Sequence, residues 1–403
     1  MKAMEKSTDS SFVSRRRLLT TGAAVGAGAV VGVSLDRALA STPETVVSLH
    51  GAERIAFHGK HQAGIATEPA AQVSFLAFDL ADGSDKSTLV RLMRLTSNSA
   101  ARLTQGDPAL ADTEPELARK PSRLTVTFGF GPRFIKLAGG VAPSWLKPLP
   151  SFSTDELQDQ WSGGDFVVQV SAEDPVAVSH AVRVLSKDIR SFGTLRWRQD
   201  GFRHAASTVK TGTTMRNLFG QVDGTVNPIP GTKEFSAAVW ADKGWWAGGT
   251  SLVLRRIAMD LDTWDPVSRL GREEAMGRRL SNGAPLTGTR EHDEPDLEAK
   301  DALGLEVIAP YAHIRRAQTD DPTQVIFRRP YNYDIAPSGD STSNSGLLFA
   351  SFQADVDHQF VPIQQRLAEL DMLNEWTTAI GSAVFVIPPG CEPGGFIGDS
   401  LLG

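Results

Sequence analysis

The chain has 403 residues, 41% hydrophobic and 22% charged, the proportions of a soluble globular protein with room for one large domain or two ordinary ones. Its formal net charge of −6 excludes a general basic field for nucleic acid or anionic lipid. A single cysteine, Cys391, excludes an intrachain disulfide, and in an exported protein that goes with folding completed before export.

Residues 1–40 read as a targeting segment. Ser14-Arg15-Arg16-Arg17-Leu18-Leu19 sets paired arginines just before Thr20–Leu35, an uncharged run rich in Ala, Gly and Val. That run is too short and too weakly apolar for a membrane span, and Ala38-Leu39-Ala40 after it has the small-x-small form of a cleavage site. Twin arginines before such a core predict the twin-arginine export machinery as a partner. The expected destination is the periplasm or the extracellular space, with no stable membrane insertion after cleavage.

Beyond the signal, strand and helix patterns alternate in two rounds. Val73–Phe78 predicts a strand, and Lys86–Leu103 a helix, with Leu89, Leu92 and Leu95 at helical spacing. Arg123–Phe130 alternates as a strand and ends in a Gly-Pro turn. Asp165–Val170 predicts a strand, Pro175–Phe192 a helix and Thr194–Phe202 a strand. After the Gly/Pro-rich stretch Gly220–Gly231, the second round runs Thr250–Asp260 (strand), Asp265–Arg279 (helix with an Asp start signal) and Val325–Tyr331 (strand). Leu347–Ala354 (strand), Gln359–Leu370 (helix) and Ala383–Ile387 (strand) complete it. Strand–helix–strand–strand–helix–strand in each round predicts an α+β fold of two ferredoxin-like domains with antiparallel sheets, over residues 41–219 and 220–403. Gly106–Pro121 and Gly283–Leu297 read as surface loops.

No zinc spacing, nucleophile elbow or phosphate loop is present. Eight histidines are scattered, and by spacing alone His313 reads as well as a surface or satisfied core residue as a metal ligand. The segment Asn217-Leu218-Phe219-Gly220-Gln221-Val222-Asp223-Gly224-Thr225-Val226-Asn227-Pro228 is more informative, because glycines around an aspartate let backbone approach a flat ligand while the carboxylate projects. By itself it also reads as a turn whose aspartate serves local N–H groups. It resembles the G-x-x-D-G motif of the dye-decolorizing peroxidases. Further stretches match that family in order: Phe57–Ile65, Leu124–Pro132, Ala312-His313-Ile314-Arg315, Phe327-Arg328-Arg329-Pro330-Tyr331 and Gly346-Leu347-Leu348-Phe349. The resemblance runs through the Pro388-Pro389-Gly390 and Gly394-Gly395-Phe396 tail, and the twin-arginine signal is similar to that of the exported branch.

The resemblance implies one haem b per chain, bound in the second half, and a peroxidase that reduces hydrogen peroxide through a ferryl state while oxidising dyes, phenols or other organic donors. It implies His313 as the axial iron ligand, whose other ring N–H needs a carboxylate partner; Asp355 is the expected one. Asp223 matches the distal proton carrier and Arg328 the distal cation, with Arg329 expected on the opposite side of its strand. The sequence departs from the family at Pro330, where glycine is commoner. Gly224, Thr225, Leu347 and Phe349 are further expected haem contacts, the last two as an apolar wall, and Arg315 is expected to meet a propionate. Eight tryptophans and three tyrosines are available to carry electrons, and none is singled out. A haem-binding or iron-release protein is the alternative reading, and a ferredoxin-like module without haem a third. Asp223 with Arg328 distinguishes peroxide cleavage from storage.

Overall fold

The computed structural model describes residues 50–337 and 339–403. The export signal expected in residues 1–40 lies outside them. The first half contains strands β1 (Gln72–Leu80), β2 (Thr125–Phe130), β3 (Phe166–Ala172) and β4 (Gly193–Phe202), all antiparallel in the order β4-β1-β3-β2. The helices Lys86–Thr104 and Pro175–Ile189 cover one face. The first starts where the Asp85 carboxylate accepts the Thr88 N–H at 2.8 Å, the second behind Asp174 with Pro175 in its first turn. A short hairpin follows, β5 (Met215–Arg216) and β6 (Val222–Asp223).

The second half repeats the plan. Strands β7 (Thr250–Met259), β8 (Phe327–Arg328), β9 (Tyr331–Ile335), β10 (Asn344–Gln353) and β11 (Thr377–Ile387) form an antiparallel sheet in the order β11-β7-β10-β9, with β8 taking up the same edge of β10 beyond β9. Both sheets have the strand order of a ferredoxin-like unit. They meet at both edges, β2 with β11 at Phe130–Val386 and β4 with β9 at Phe202–Asn332. With β7 also paired to β10, eight strands close into a ring.

Period-two alternation then divides the apolar residues into layers. Phe75, Leu252, Leu254, Leu348, Phe352 and Phe385 share the core inside the ring. On the outer face of the first half, Leu76, Phe78, Phe128 and Val168 pack with Leu89, Leu92 and Leu185 of the two helices. On the outer face of the second half, Leu347 and Met259 pack with Phe219, Trp264 and Met276.

Several expected elements change at their boundaries. The strand expected over Val325–Tyr331 is broken, because Pro330 has no N–H to donate, and pairing resumes as β9. The helix expected from Asp265 runs Arg269–Met276 behind the Ser268 cap and stops at Gly277, whose φ of +79° is left-handed. The helix expected over Gln359–Leu370 is entered through a π-helical turn, Val356–Phe360. Gly283–Leu297 is a loop, as expected, whose first three residues, Gly283, Ala284 and Pro285, are buried while the rest are half-buried or exposed. No helix among the described residues is long and apolar enough to cross a membrane.

The two ends of the described chain lie side by side. Gln62 uses both ends of its amide, donating to Phe128 O and Pro388 O and accepting from Phe128 N, while Gly390 N donates to Lys60 O and Gly59 N to Cys391 O. This buries Cys391, and burial, with the charges of Asp399 and Glu392, pushes its thiol up to about 11. At pH 8 the thiolate fraction is therefore about a hundredfold below that of an ordinary exposed thiol. Labelling of native Cys391 by a thiol reagent at pH 8 should be slower by at least that factor and should quicken as pH rises through 11. Immediate labelling at pH 8 would show that the tail opens.

Candidate active site

Asp223 sits at the open end of the β5–β6 hairpin, opposite Met215. The turn is stabilised by Asn217, whose Oδ1 accepts the Phe219 and Gln221 N–H groups, and by Gly220 at φ +79°. Arg216 fastens the turn to the following helix region, donating Nη1 to Gly220 O and Leu280 O, both at 2.7 Å. Gly224, at φ +126°, turns the chain away and leaves the Asp223 side chain projecting. The carboxylate is 11% exposed, and its Oδ1 accepts from Arg328 Nη1 at 2.9 Å. Its Oδ2 has no hydrogen-bond partner among the described residues.

Arg328 is the last residue of β8. Phe327 points into the ring core, so Arg328 points out of it. Arg329 turns back inward, fully enclosed, where it donates Nη1 to Ile65 O at 2.9 Å and to Thr67 O. Burial is the main reason its pKa falls to about 10. The structure thus separates the two arginines as strand alternation requires. Asn227, four residues beyond Asp223, locks the two segments together: its Nδ2 donates to Arg328 O at 2.6 Å and its Oδ1 accepts Arg328 N at 3.0 Å.

His313 opens the short helix His313–Ala317. Its Nδ1 is 2.5 Å from Asp371 Oδ2, and Asp371 is buried, its Oδ1 accepting the Leu373 N–H. Burial alone would push the imidazole pKa down. The Asp371 charge and hydrogen bond, helped by Asp223 and opposed by Arg328, carry it above its ordinary value. The ring keeps 27% of its side-chain surface exposed, and its Nε2 has no hydrogen-bond partner among the described residues. The expectation that Asp355 supports His313 is overturned. Asp355 caps the π-helical turn, accepting His358 N at 3.0 Å, and Asp371 holds the histidine. Nothing in the sequence marked Asp371, which reads there only as a residue that ends one helix and caps the next turn.

Leu347 and Phe349 stand two apart on the outer face of β10, Leu347 buried and Phe349 half-buried against Phe360. Thr225 is committed to Glu291, donating its hydroxyl to Oε1 at 3.0 Å. Arg315 pairs with Glu306 at 3.2 Å and donates to Leu297 O, leaving its buried Nε without a partner. A cavity of about 460 Å³ opens beside it, lined also by Gln318, Thr319, Asp320, Asp321, Gln324 and Arg366. Arg366 leaves buried Nε and Nη2 unpartnered. Arg366, Asn227 and Glu291 were not identified from the sequence as site residues; only Asn227 stood inside a recognised motif. Among the described residues no group of three or more His, Cys, Asp or Glu could hold a metal ion.

Family models describe residues 62–203 as "Dyp-type peroxidase, N-terminal" and residues 214–392 as "Dyp-type peroxidase, C-terminal". The chain is 34% identical to a dye-decolorizing peroxidase of Thermobifida fusca over 427 residues, covering 99% of each chain. It is 32% identical to a deferrochelatase of Escherichia coli K12 over 414 residues, covering 96% of this chain and 97% of that one. The crystal structure of a DyP-type peroxidase from Cellulomonas bogoriensis superposes with a TM-score of 0.86 at 49% identity, over 88% of this chain and 99% of that one.

The histidine–aspartate pair gives a direct test. In the apoprotein, Asp371→Ala should drop the His313 pKa, because the largest influence opposing burial is then gone, and Asp371→Asn should drop it less, since an acceptor remains. NMR titration of the ring reads both. Haem affinity should fall by roughly ten- to a hundredfold in the alanine variant; an unchanged titration and affinity would remove Asp371 from the site.

Proposed function

The chain belongs to the Dyp-type peroxidase family, and from that premise we propose that His313 would hold the iron of its haem, with Asp223 as the proton carrier and Arg328 as the fixed cation of the peroxide step. The protein is a haem peroxidase, which reduces hydrogen peroxide with electrons from an organic donor. The residues present fit the cofactor. Among the described residues, His313 Nε2 is without a hydrogen-bond partner, and the buried N–H groups left over on Arg315 and Arg366 match the two carboxylates that haem carries. Burial and the neighbouring Arg316 charge lower the Arg366 pKa, opposed by the charges of Asp320 and Glu369. Haem supplies the iron at which peroxide is reduced and the store of oxidising equivalents that the donor discharges.

The chain's own residues manage one proton and one charge. Asp223 Oδ2 is free to take the proton from the inner oxygen of peroxide and return it to the outer oxygen as that oxygen leaves in water. Arg328 keeps the carboxylate aimed through the Nη1–Oδ1 contact and places a permanent positive charge where negative charge gathers on the departing oxygen. Asp371, accepting from His313 Nδ1–H, fixes the tautomer that leaves Nε2 as the ligating atom and strengthens it as a donor. Leu347 and Phe349 limit the access of bulk water.

The observation that carries this reading is the Asp223–Arg328 pair at 2.9 Å, within electrostatic reach of His313. Release of iron from haem, the reading favoured by the deferrochelatase relatives, has no need of an acid–base pair within electrostatic reach of the histidine. Residues 1–40 support export by the twin-arginine route to the periplasm or extracellular space. Replacing Arg15 and Arg16 by lysine should retain the protein in the cytoplasm, and unchanged fractionation would end that part of the proposal.

The chemical part is tested by stopped-flow absorbance with peroxide. Asp223→Asn should slow the second-order reaction by about 10²–10⁴-fold, the range for losing a general acid–base. Arg328→Leu should slow it by about 10²–10³-fold, as for loss of one preorganised charge donor. A wild-type rate in Asp223→Asn would move the proton elsewhere.

A further inference from the structure

The β5–β6 hairpin that presents Asp223 is only two residues long on each strand, too short to hold its own open end. The turn end is well tied by Asn217 and Arg216, but Asp223 stands at the other end, where the strands would separate. At that end the residue before β5 is Thr214 and the second residue after β6 is Thr225. Both hydroxyls donate to one atom, Glu291 Oε1, at 2.5 and 3.0 Å. Glu291 comes from the loop after the helix Arg269–Met276. That loop is itself fixed, because buried Arg278 donates Nη1 to Gly283 O at 2.7 Å and to the Glu291 carbonyl at 2.9 Å.

We propose that Glu291 is a positioning residue that clips the open end of the Asp223 hairpin and so holds the proton-carrying carboxylate against Arg328. The inference rests on the proton-transfer role given to Asp223. One oxygen does the work: Oε2 has no hydrogen-bond partner among the described residues, and the side chain is 24% exposed. An amide oxygen can accept the same two hydroxyls, so a clip tolerates glutamine, whereas a proton carrier or an essential negative charge does not.

The test uses the haem-loaded protein and two readouts, hydrogen exchange of peptides covering residues 213–226 and the stopped-flow rate with peroxide. Glu291→Ala should speed exchange in that segment by about tenfold or more while the helices Lys86–Thr104 and Pro175–Ile189 exchange as before. The same variant should slow the peroxide step by roughly ten- to a hundredfold, the cost of a small misplacement, with KM for the organic donor unchanged. Glu291→Gln should recover most of both losses. Should Glu291→Ala fail to fold, Thr225→Val removes one of the two hydroxyls and should show about half of the exchange effect on a logarithmic scale. Unchanged exchange in Glu291→Ala, or in Thr225→Val where that variant stands in, overturns the clip. A glutamine variant as slow as alanine with wild-type exchange overturns it in favour of a charge or proton role. Asp223→Asn in the same series separates the two levels: a wild-type peroxide rate there refutes the proton role, while exchange still judges the clip.

Discussion

Strand β10 has two faces, and only one of them can serve the core inside the ring. Leu348, Ala350 and Phe352 take the inner face, so Leu347, Phe349 and Ser351 must face outward. Register transmits this choice to β8, where Arg328 lies opposite Ser351 and Phe327 opposite Phe352. A slip of one residue would bring Arg329 out and bury Arg328 in the ring. The position of the site cation is thus set by packing of apolar side chains that take no part in chemistry.

The same alternation puts several arginines in enclosed places, and each is accommodated differently. Arg255, on the outer face of β7, pairs with Asp155, and both are buried. Arg256, on the inner face, lies 4.4 Å from the centre of the Trp161 ring and 3.7 Å from that of Tyr333. Arg329 is held by backbone carbonyls. Removing a guanidinium from water is costly unless its N–H groups find partners. Arg328 alone of these four meets a carboxylate that has an unused oxygen, which distinguishes a reactive ion pair from a structural one.

The repeated strand–helix order was legible because long amphipathic elements leave a strong periodic trace, and the helix Lys86–Thr104 and strand β1 lie within two residues of their expected limits. Short elements carry no such trace. The hairpin of four paired residues and the five-residue helix of His313 exist because tertiary contacts hold them. Asp223, Arg328 and His313 were found through motif resemblance, which marks residue types at fixed offsets. Asp371 and Glu291 escaped because each acts across 58 to 77 residues of chain through one hydrogen-bonding group, and an aspartate or glutamate in a polar loop has no local signature. Asp355 illustrates the hazard: it stood near an expected site strand, yet its local duty as a cap outweighed any distant partnership.

The ring also has an order of assembly written into it. β11 is the last strand to leave the ribosome, and it fills the gap between β7 and β2. Until Thr377–Ile387 has emerged, β7 and β2 both present raw hydrogen-bonding edges, and the Phe57–Ile65 segment has no tail to grip. A nascent chain therefore cannot complete its barrel before β11 emerges, however early its first half condenses. Truncation before Thr377 should leave an aggregation-prone open sheet rather than a smaller working protein.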